Sequence, residues 1–363
     1  MEILIDSHCH SIVAGDLDGA AFERGSTEAD RPAAAGTSYL DSQIGWAVRR
    51  WCAPALGLPH RAPVADYLTR RAELGWREAT SRLLRAADLG ALLVDTGLDP
   101  DPDGLDRDAL GELAGAPTHE IVRLERVAED VAAGGVAAGE FPEAYRAALA
   151  ERTARAVAVK SVIAYRHGLA VPEERPSPAA VLDAAGGWLR SGGRLVDPVL
   201  LRFVLWCGVD TGLPLQVHAG FGDRDLRLRQ GDPALLQPFL AAVEPTGVPV
   251  VLLHCYPYHR QAGWLALVFP HVYVDVGLTV THLGARADAV LGEFFELAPF
   301  GKLLFSTDAY GLPELYLAGA AQFRHALRRL VNEWVREGVV SYADAERAAA
   351  LVCAGNARRV YRL

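Results

Sequence analysis

Two histidines one residue apart, His8 and His10, stand at the polar end of an otherwise apolar run, Ile3-Leu4-Ile5-Asp6-Ser7-His8-Cys9-His10. On a β-strand, residues i and i+2 share a face, so both imidazoles can close on one cation. The same spacing suits a hydrogen-bonded core histidine, and the pair gains its weight from residues far along the chain. Three more apolar runs stop at an ionisable side chain: 213–218 at His218, 248–254 at His254 and 302–308 at Asp308. Near-continuous hydrophobic runs read as buried parallel strands, and a closed barrel collects its chemistry at their carboxyl ends. Four strand ends therefore carry an imidazole or a carboxylate.

The elements that must position them alternate. Further strands are expected at 91–95, 121–125, 157–163 and 272–276, and helices at 64–73, 76–89, 141–155, 179–190, 198–207, 233–243, 261–268, 288–297 and 315–336. Residues 14–37, rich in Gly, Ala and Asp, read as a surface loop, and a Pro, Asp and Gly-rich loop follows residue 95. About eight strand–helix units predict the α/β class and a closed (β/α)8 TIM barrel, with a long helical insertion after the first strand. The expected organisation is one barrel domain over 1–363, with 11–90 holding an insertion or lid and the helices between strands one and two. An open, doubly wound sheet is the competing arrangement. It lacks its Gly-rich phosphate loop here, because His10 is followed by Ser11-Ile12-Val13-Ala14-Gly15.

Composition narrows the partners. With 363 residues, 51% of them apolar, the chain can bury a sizeable core. A net charge of −9 and no run of Lys or Arg argue against nucleic acid and anionic membrane, leaving a small-molecule substrate and a homo-oligomer as the expected partners. Five scattered cysteines without a CxxC pair predict reduced, buried thiols. No apolar stretch approaches membrane-spanning length and the first residues lack a signal-like pattern, so a cytoplasmic location is expected.

The order of His8 and His10, Lys160, His218, His254 and Asp308 on successive strands resembles the amidohydrolase superfamily of metal-dependent barrels over nearly the whole chain. More narrowly, Lys160-Ser161-Val162-Ile163-Ala164-Tyr165-Arg166, His218-Ala219-Gly220-Phe221-Gly222-Asp223 and Ser306-Thr307-Asp308 resemble the amidohydrolase-like domain fused to glutamine-synthetase-like domains in some fungal and plant proteins. The resemblance implies that His8, His10, His218 and Asp308 are ligands. His254 would hold a second ion or orient the reacting group. Lys160 could be carboxylated and bridge two ions, or remain an ammonium that binds a substrate anion or pairs with Glu125; a single ion is preferred. Neutral imidazoles and a carboxylate suit a divalent metal, zinc first, with manganese or iron as alternatives.

Asp308 could bind the ion through one oxygen and take a proton from water on the other, or cap a helix starting near Pro313. Tyr165 and Arg166 after the fourth strand, and Tyr256 and Tyr258 after His254, are the expected substrate-binding residues. Arg166 would grip a carboxylate and the tyrosines would cover an apolar part; the alternative is an Arg paired to a loop acid and aromatics packed as caps. Arg123 and Glu125 read as a salt-bridged pair on the third strand, and Asp6 as a hydrogen-bond partner for a ligand imidazole.

The leading expectation is a hydrolase cleaving a C–N bond, amide or amidine-like, of a small, carboxylate-bearing substrate by metal-activated water, with Asp308 and His254 catalytic. A metal-dependent decarboxylase or isomerase is the second reading. A non-catalytic binding or regulatory barrel, serving a synthetase-like partner in trans, is the third.

Overall fold

The computed structural model describes residues 3–98 and 104–363. Eight parallel strands run in chain order: β1 (Leu4–Cys9), β2 (Leu89–Asp95), β3 (Thr118–Arg123), β4 (Ala158–Ser161), β5 (Leu215–Ala219), β6 (Val250–His254), β7 (Val272–Asp275) and β8 (Leu303–Leu304). Each pairs with the next, and helices intervene, so the sheet is the expected (β/α)8 barrel. Strands β1, β4, β5 and β6 are buried along their whole length, which is why they read as apolar runs and not as alternating ones. Closure comes from the residues just past β8. Ser7 N donates to Phe305 O at 3.1 Å, Asp308 N to His8 O at 3.0 Å and His10 N to Ala309 O at 2.8 Å. These bonds put Asp308 beside His8 and His10.

Most expected helices form, among them Val64–Leu74, Trp76–Ala87, Phe141–Thr153 and Pro313–Arg336. Between β1 and β2 the Gly- and Ala-rich stretch is not all loop. Asp18 caps a helix over Gly19–Gly25 by accepting from Ala21 N at 2.7 Å, so the local cap overrides composition. This region is tied to the barrel by a buried ion pair, Arg71 Nε to Glu314 Oε1 at 2.8 Å, which Tyr67 Oη joins at 2.9 Å. Part of the Pro, Asp and Gly-rich loop after β2 lies outside the described residues.

Two expected strands end earlier than their apolar runs suggest. β3 ends at Arg123 and Glu125 already belongs to the helix Leu124–Ala133, so the two do not share a strand face. Arg123 instead grips Asp95, with Nη2 at 2.6 Å and Nε at 3.1 Å from Oδ2, and Glu125 accepts from Ser161 Oγ at 2.6 Å and Val162 N at 3.0 Å. β4 ends at Ser161, because the chain turns at Val162 into a helical turn, Ile163–Arg166. The five cysteines are buried and free. Among the described residues no helix is long and apolar enough to cross a membrane.

Candidate metal centre

The carboxyl end of β1 meets the seam where the barrel closes. His8 Nε2 lies 3.1 Å and His10 Nε2 3.5 Å from the same oxygen, Asp308 Oδ1, and His254 Nε2 lies 3.4 Å from Oδ2. The other ring nitrogens fix the tautomers. Gln216 donates through Nε2 to the Ser7 carbonyl at 2.8 Å, so its Oε1 faces His8 Nδ1, 2.8 Å away, and must accept from it. His10 Nδ1 sits 3.3 Å from the Asp95 carbonyl, which can only accept. Both Nε2 atoms therefore turn a lone pair toward one carboxylate oxygen. That contact is repulsive unless a positive group lies among the three atoms, and it is the arrangement a divalent cation needs. Lys160 Nζ, 3.0 Å from His8 Nε2, offers one such group to His8.

Protonation states agree with that reading. Burial, then Lys160, pushes the His8 imidazole down to about 3, and burial also lowers His218 and His254. Burial works against ionised Asp308, but His254, His10 and His8 hold its carboxyl well below the usual range. At neutral pH the site thus offers neutral imidazoles around a carboxylate, the forms that bind a metal. Both nitrogens of His254 are buried without a hydrogen-bond partner, a costly condition that a cation or a substrate atom would relieve. Two sets of donors lie within 4.8 Å of one another: His8, His254 and Asp308, and His8, His10 and Asp95.

His218, from β5, belongs to neither set. Its ring is centred 4.7 Å from that of His254, and its Nε2 donates to the Phe221 carbonyl at 3.1 Å, leaving the lone pair on Nδ1. Lys160, at the end of β4, lies 3.8 Å from Asp95 Oδ2 and shows no contact with Glu125; burial lowers its pKa against the pull of Asp95. Burial works against ionised Asp95, but Arg123, His10, Lys160 and His8 together outweigh it and keep its carboxyl below the usual range. Asp308 caps no helix, since the following helix begins at Pro313 behind Leu312.

A cavity of about 270 Å³ opens onto this cluster, lined by His10, Lys160, His218 and Asp308 together with Tyr165, Arg166 and Arg123. Tyr165 packs against His218, with ring centres 4.6 Å apart and the planes tilted by 56°. Its hydroxyl packs where a Cβ on residue 222 would be, only 1.8 Å away, so Gly222 is required there. Arg166 reaches the wall but leans on a helix acid, with Nη1 3.1 Å from Glu129 Oε1. Tyr256 and Tyr258 are not among the lining residues. Tyr256 lies flat on His259, with ring centres 5.5 Å apart, and His259 is held by Glu293 at 2.6 Å, so aromatic packing draws that loop away from the cavity.

Sequence reading missed several contributors. Gln216 orients His8 and was hidden as the one amide in an apolar strand, two residues before His218 on the same face. Asp6 does not touch the imidazole. Its oxygens accept from Thr307 N at 2.9 Å and Thr307 Oγ1 at 2.5 Å, pinning the seam, and burial raises its carboxyl to about 7. Asp275 holds the His254 amide at 2.7 Å and Ser306 Oγ at 2.6 Å. Glu28, from the segment between β1 and β2, enters the cavity with Tyr310; burial, then Asp308 and Asp223, pushes its carboxyl up to about 8. Backbone strain collects here too, since Asp308 (φ 51°) and His254 (φ 66°) are non-glycine residues in the left-handed region.

A family model described as Amidohydrolase matches residues 5–363. The crystal structure of a "putative metal-dependent hydrolase" from Lactobacillus casei superposes with a TM-score of 0.88 at 30% identity, covering 100% of this chain and 96% of that one. Uronate isomerase from Thermotoga maritima shares the fold, with a TM-score of 0.64 at 14% identity over 99% of this chain and 94% of that one. Protein fluG of Emericella nidulans is 40% identical over 152 residues, which are 41% of this chain and only 17% of that protein.

Proposed function

The chain belongs to the amidohydrolase family, and on that premise we propose that it is a metal-dependent hydrolase cleaving a C–N bond, amide or amidine-like, in a small substrate that bears a carboxylate. One observation carries the reading: the acceptor lone pairs of His8 Nε2 and His10 Nε2 converge on Asp308 Oδ1. His8, His10 and Asp308 would hold the ion, zinc first among the candidates. The neighbouring pair His218 and His254, rings tilted 57° to each other, completes the set, one as a further ligand and the other orienting the substrate. When bound, the ion supplies a Lewis acid for the scissile carbon's partner atom and makes water a nucleophile near pH 7.

The chain's own groups do the remaining work. Gln216 and the Asp95 carbonyl keep both β1 imidazoles in the ligand tautomer. Asp308 is ionised, so Oδ2, the oxygen turned to His254, accepts a proton from the attacking water and returns it to the leaving nitrogen. Lys160 and Arg123 face the cavity and attract a substrate carboxylate, and residues 28–30 cover the mouth as a lid.

The test combines metal content and turnover. The purified protein should hold about one zinc per chain and release amine or ammonia from some member of a panel of small carboxylate-bearing amides and amidines. His10→Ala should hold less than about a tenth of that metal and lose turnover. Parallel His218→Ala and His254→Ala variants separate ligand from orienting residue, because only loss of the ligand empties the site. Full turnover by a metal-free His10→Ala protein overturns the reading. Carbon dioxide release or sugar-acid isomerisation with no amine released would overturn the C–N assignment alone.

A further inference from the structure

The cavity lining carries both kinds of charge. Arg123 and Arg194 both repel Arg166; Arg123 lies closest to Asp95, Arg194 to Asp225 and Arg166 to Glu129, and Glu125 also acts on Arg123 and Arg166. Arg166 is the most exacting of them. Its side chain is 8% exposed, it lines the cavity, and neither Nε nor Nη1 makes a hydrogen bond. A buried guanidinium with open N–H groups calls for an anion with two oxygens. The same lining holds Glu28 and Asp223, together with Tyr165 and Tyr310, whose hydroxyls feel both acids. Among the described residues neither acid forms an ion pair; Asp223 disfavours the charge on Glu28, and Asp223 itself feels Asp225 and Asp30 against the weaker pull of Arg194. Their neighbour Asp30 is already tied across the mouth, 3.8 Å from Arg224, so holding the lid shut does not account for Glu28. Asp308 feels both groups, the arginine side through Arg123 and the acid side through Glu28.

We propose that the substrate is a zwitterion, whose carboxylate is taken by the Arg166 cluster and whose protonated amine is taken by Glu28 and Asp223, with the reacting bond presented at Asp308. The inference rests on the hydrolase reading above and narrows its substrate to amino-acid-like compounds. An ammonium beside Glu28 and Asp223 would favour the ionised form of Glu28 that burial opposes, which a purely anionic substrate cannot do, and a purely cationic one would leave Arg166 Nε and Nη1 without a hydrogen-bond acceptor. Each charge-assisted contact is strong enough to separate matched ligands by an order of magnitude.

The experiment uses the zinc-loaded full chain and calorimetric titration at pH 7.5 with three series of probes. These are the ω-amino acids from glycine to 5-aminopentanoate, the plain carboxylates of equal length, and the plain amines of equal length. At one chain length the ω-amino acid should bind at least about tenfold more tightly than both of its singly charged counterparts. Glu28→Gln combined with Asp223→Asn should cut that advantage below about threefold while leaving the plain carboxylate unweakened, and Arg166→Met should weaken carboxylates and amino acids alike. A plain carboxylate that binds as well as every amino acid, or an advantage that survives the double acid variant, overturns the proposal. Zinc content is measured on the same samples. Protein that holds zinc but shows no amino-acid advantage refutes the zwitterion alone, whereas protein that holds no zinc refutes the reading beneath it.

Discussion

Replacing Gln216 by leucine isolates the tautomer argument. The amide accepts from His8 Nδ1 at 2.8 Å and donates to the Ser7 carbonyl at 2.8 Å and to Tyr361 Oη at 2.7 Å, all of it buried. Leucine has similar bulk and no polar atom, so three buried groups lose a partner at about 1–3 kcal/mol each before relaxation. The metal side is separable. A ligand imidazole that loses its outer hydrogen bond costs about 10–100-fold in metal affinity, or roughly 1.4–2.8 kcal/mol. Gln216→Glu keeps an oxygen for His8 Nδ1 but cannot donate to Ser7. It should therefore lose stability yet keep zinc affinity within about threefold of the parent, whereas Gln216→Leu should lose both. Zinc affinity is read by competition with a chromophoric chelator and stability by urea unfolding of the chelated protein. A folded Gln216→Leu protein that binds zinc within about twofold of the parent would refute the tautomer argument.

Arg71→Ala strips the partner from Glu314, which is fully buried, and should destabilise the chain by about 3–5 kcal/mol in urea unfolding; Arg71→Met paired with Glu314→Gln should recover part of that loss. Gly277→Ala places a Cβ 1.9 Å from Ser306 Oγ, displacing the hydroxyl that holds Asp275, and should cost about 1–3 kcal/mol by the same assay together with some zinc affinity, since Asp275 anchors the His254 amide. For pH, Glu28 is raised from 4.5 to about 8 in the folded chain, so the native state keeps a proton that the unfolded state has released. Its contribution is present in full below pH 4.5 and fades as pH rises to about 8, so Glu28→Gln should flatten the slope of stability across that window, measured by thermal melts in matched buffers.

The fold was legible because three strands, β1, β5 and β6, are buried along their whole length and carry histidines at or near their carboxyl ends, which fixes both the sheet type and the face where they meet. The segments that misled were those where one residue decided the local outcome. Asp18 made a helix of a Gly- and Ala-rich stretch, and a turn at Val162 cut short a run of β-favouring residues. The ion pairs misled for a different reason: Arg123 chose Asp95 on the neighbouring strand, a partner 28 positions away that no local spacing announces. Gln216, Asp275 and Glu28 act through contacts across the barrel, and polar residues of those types appear along the chain in many roles.

The seam between β8 and β1 has a consequence for biogenesis. Thr307 and Asp6, which clamp it, are 301 positions apart, and β8 adds only two residues to the ladder. During translation the first strand therefore leaves the ribosome with both imidazoles in place long before the carboxylate that must oppose them exists. The nascent chain can offer only a loose, poorly selective pair of nitrogens, and tight discrimination among cellular cations must wait until the last strand docks.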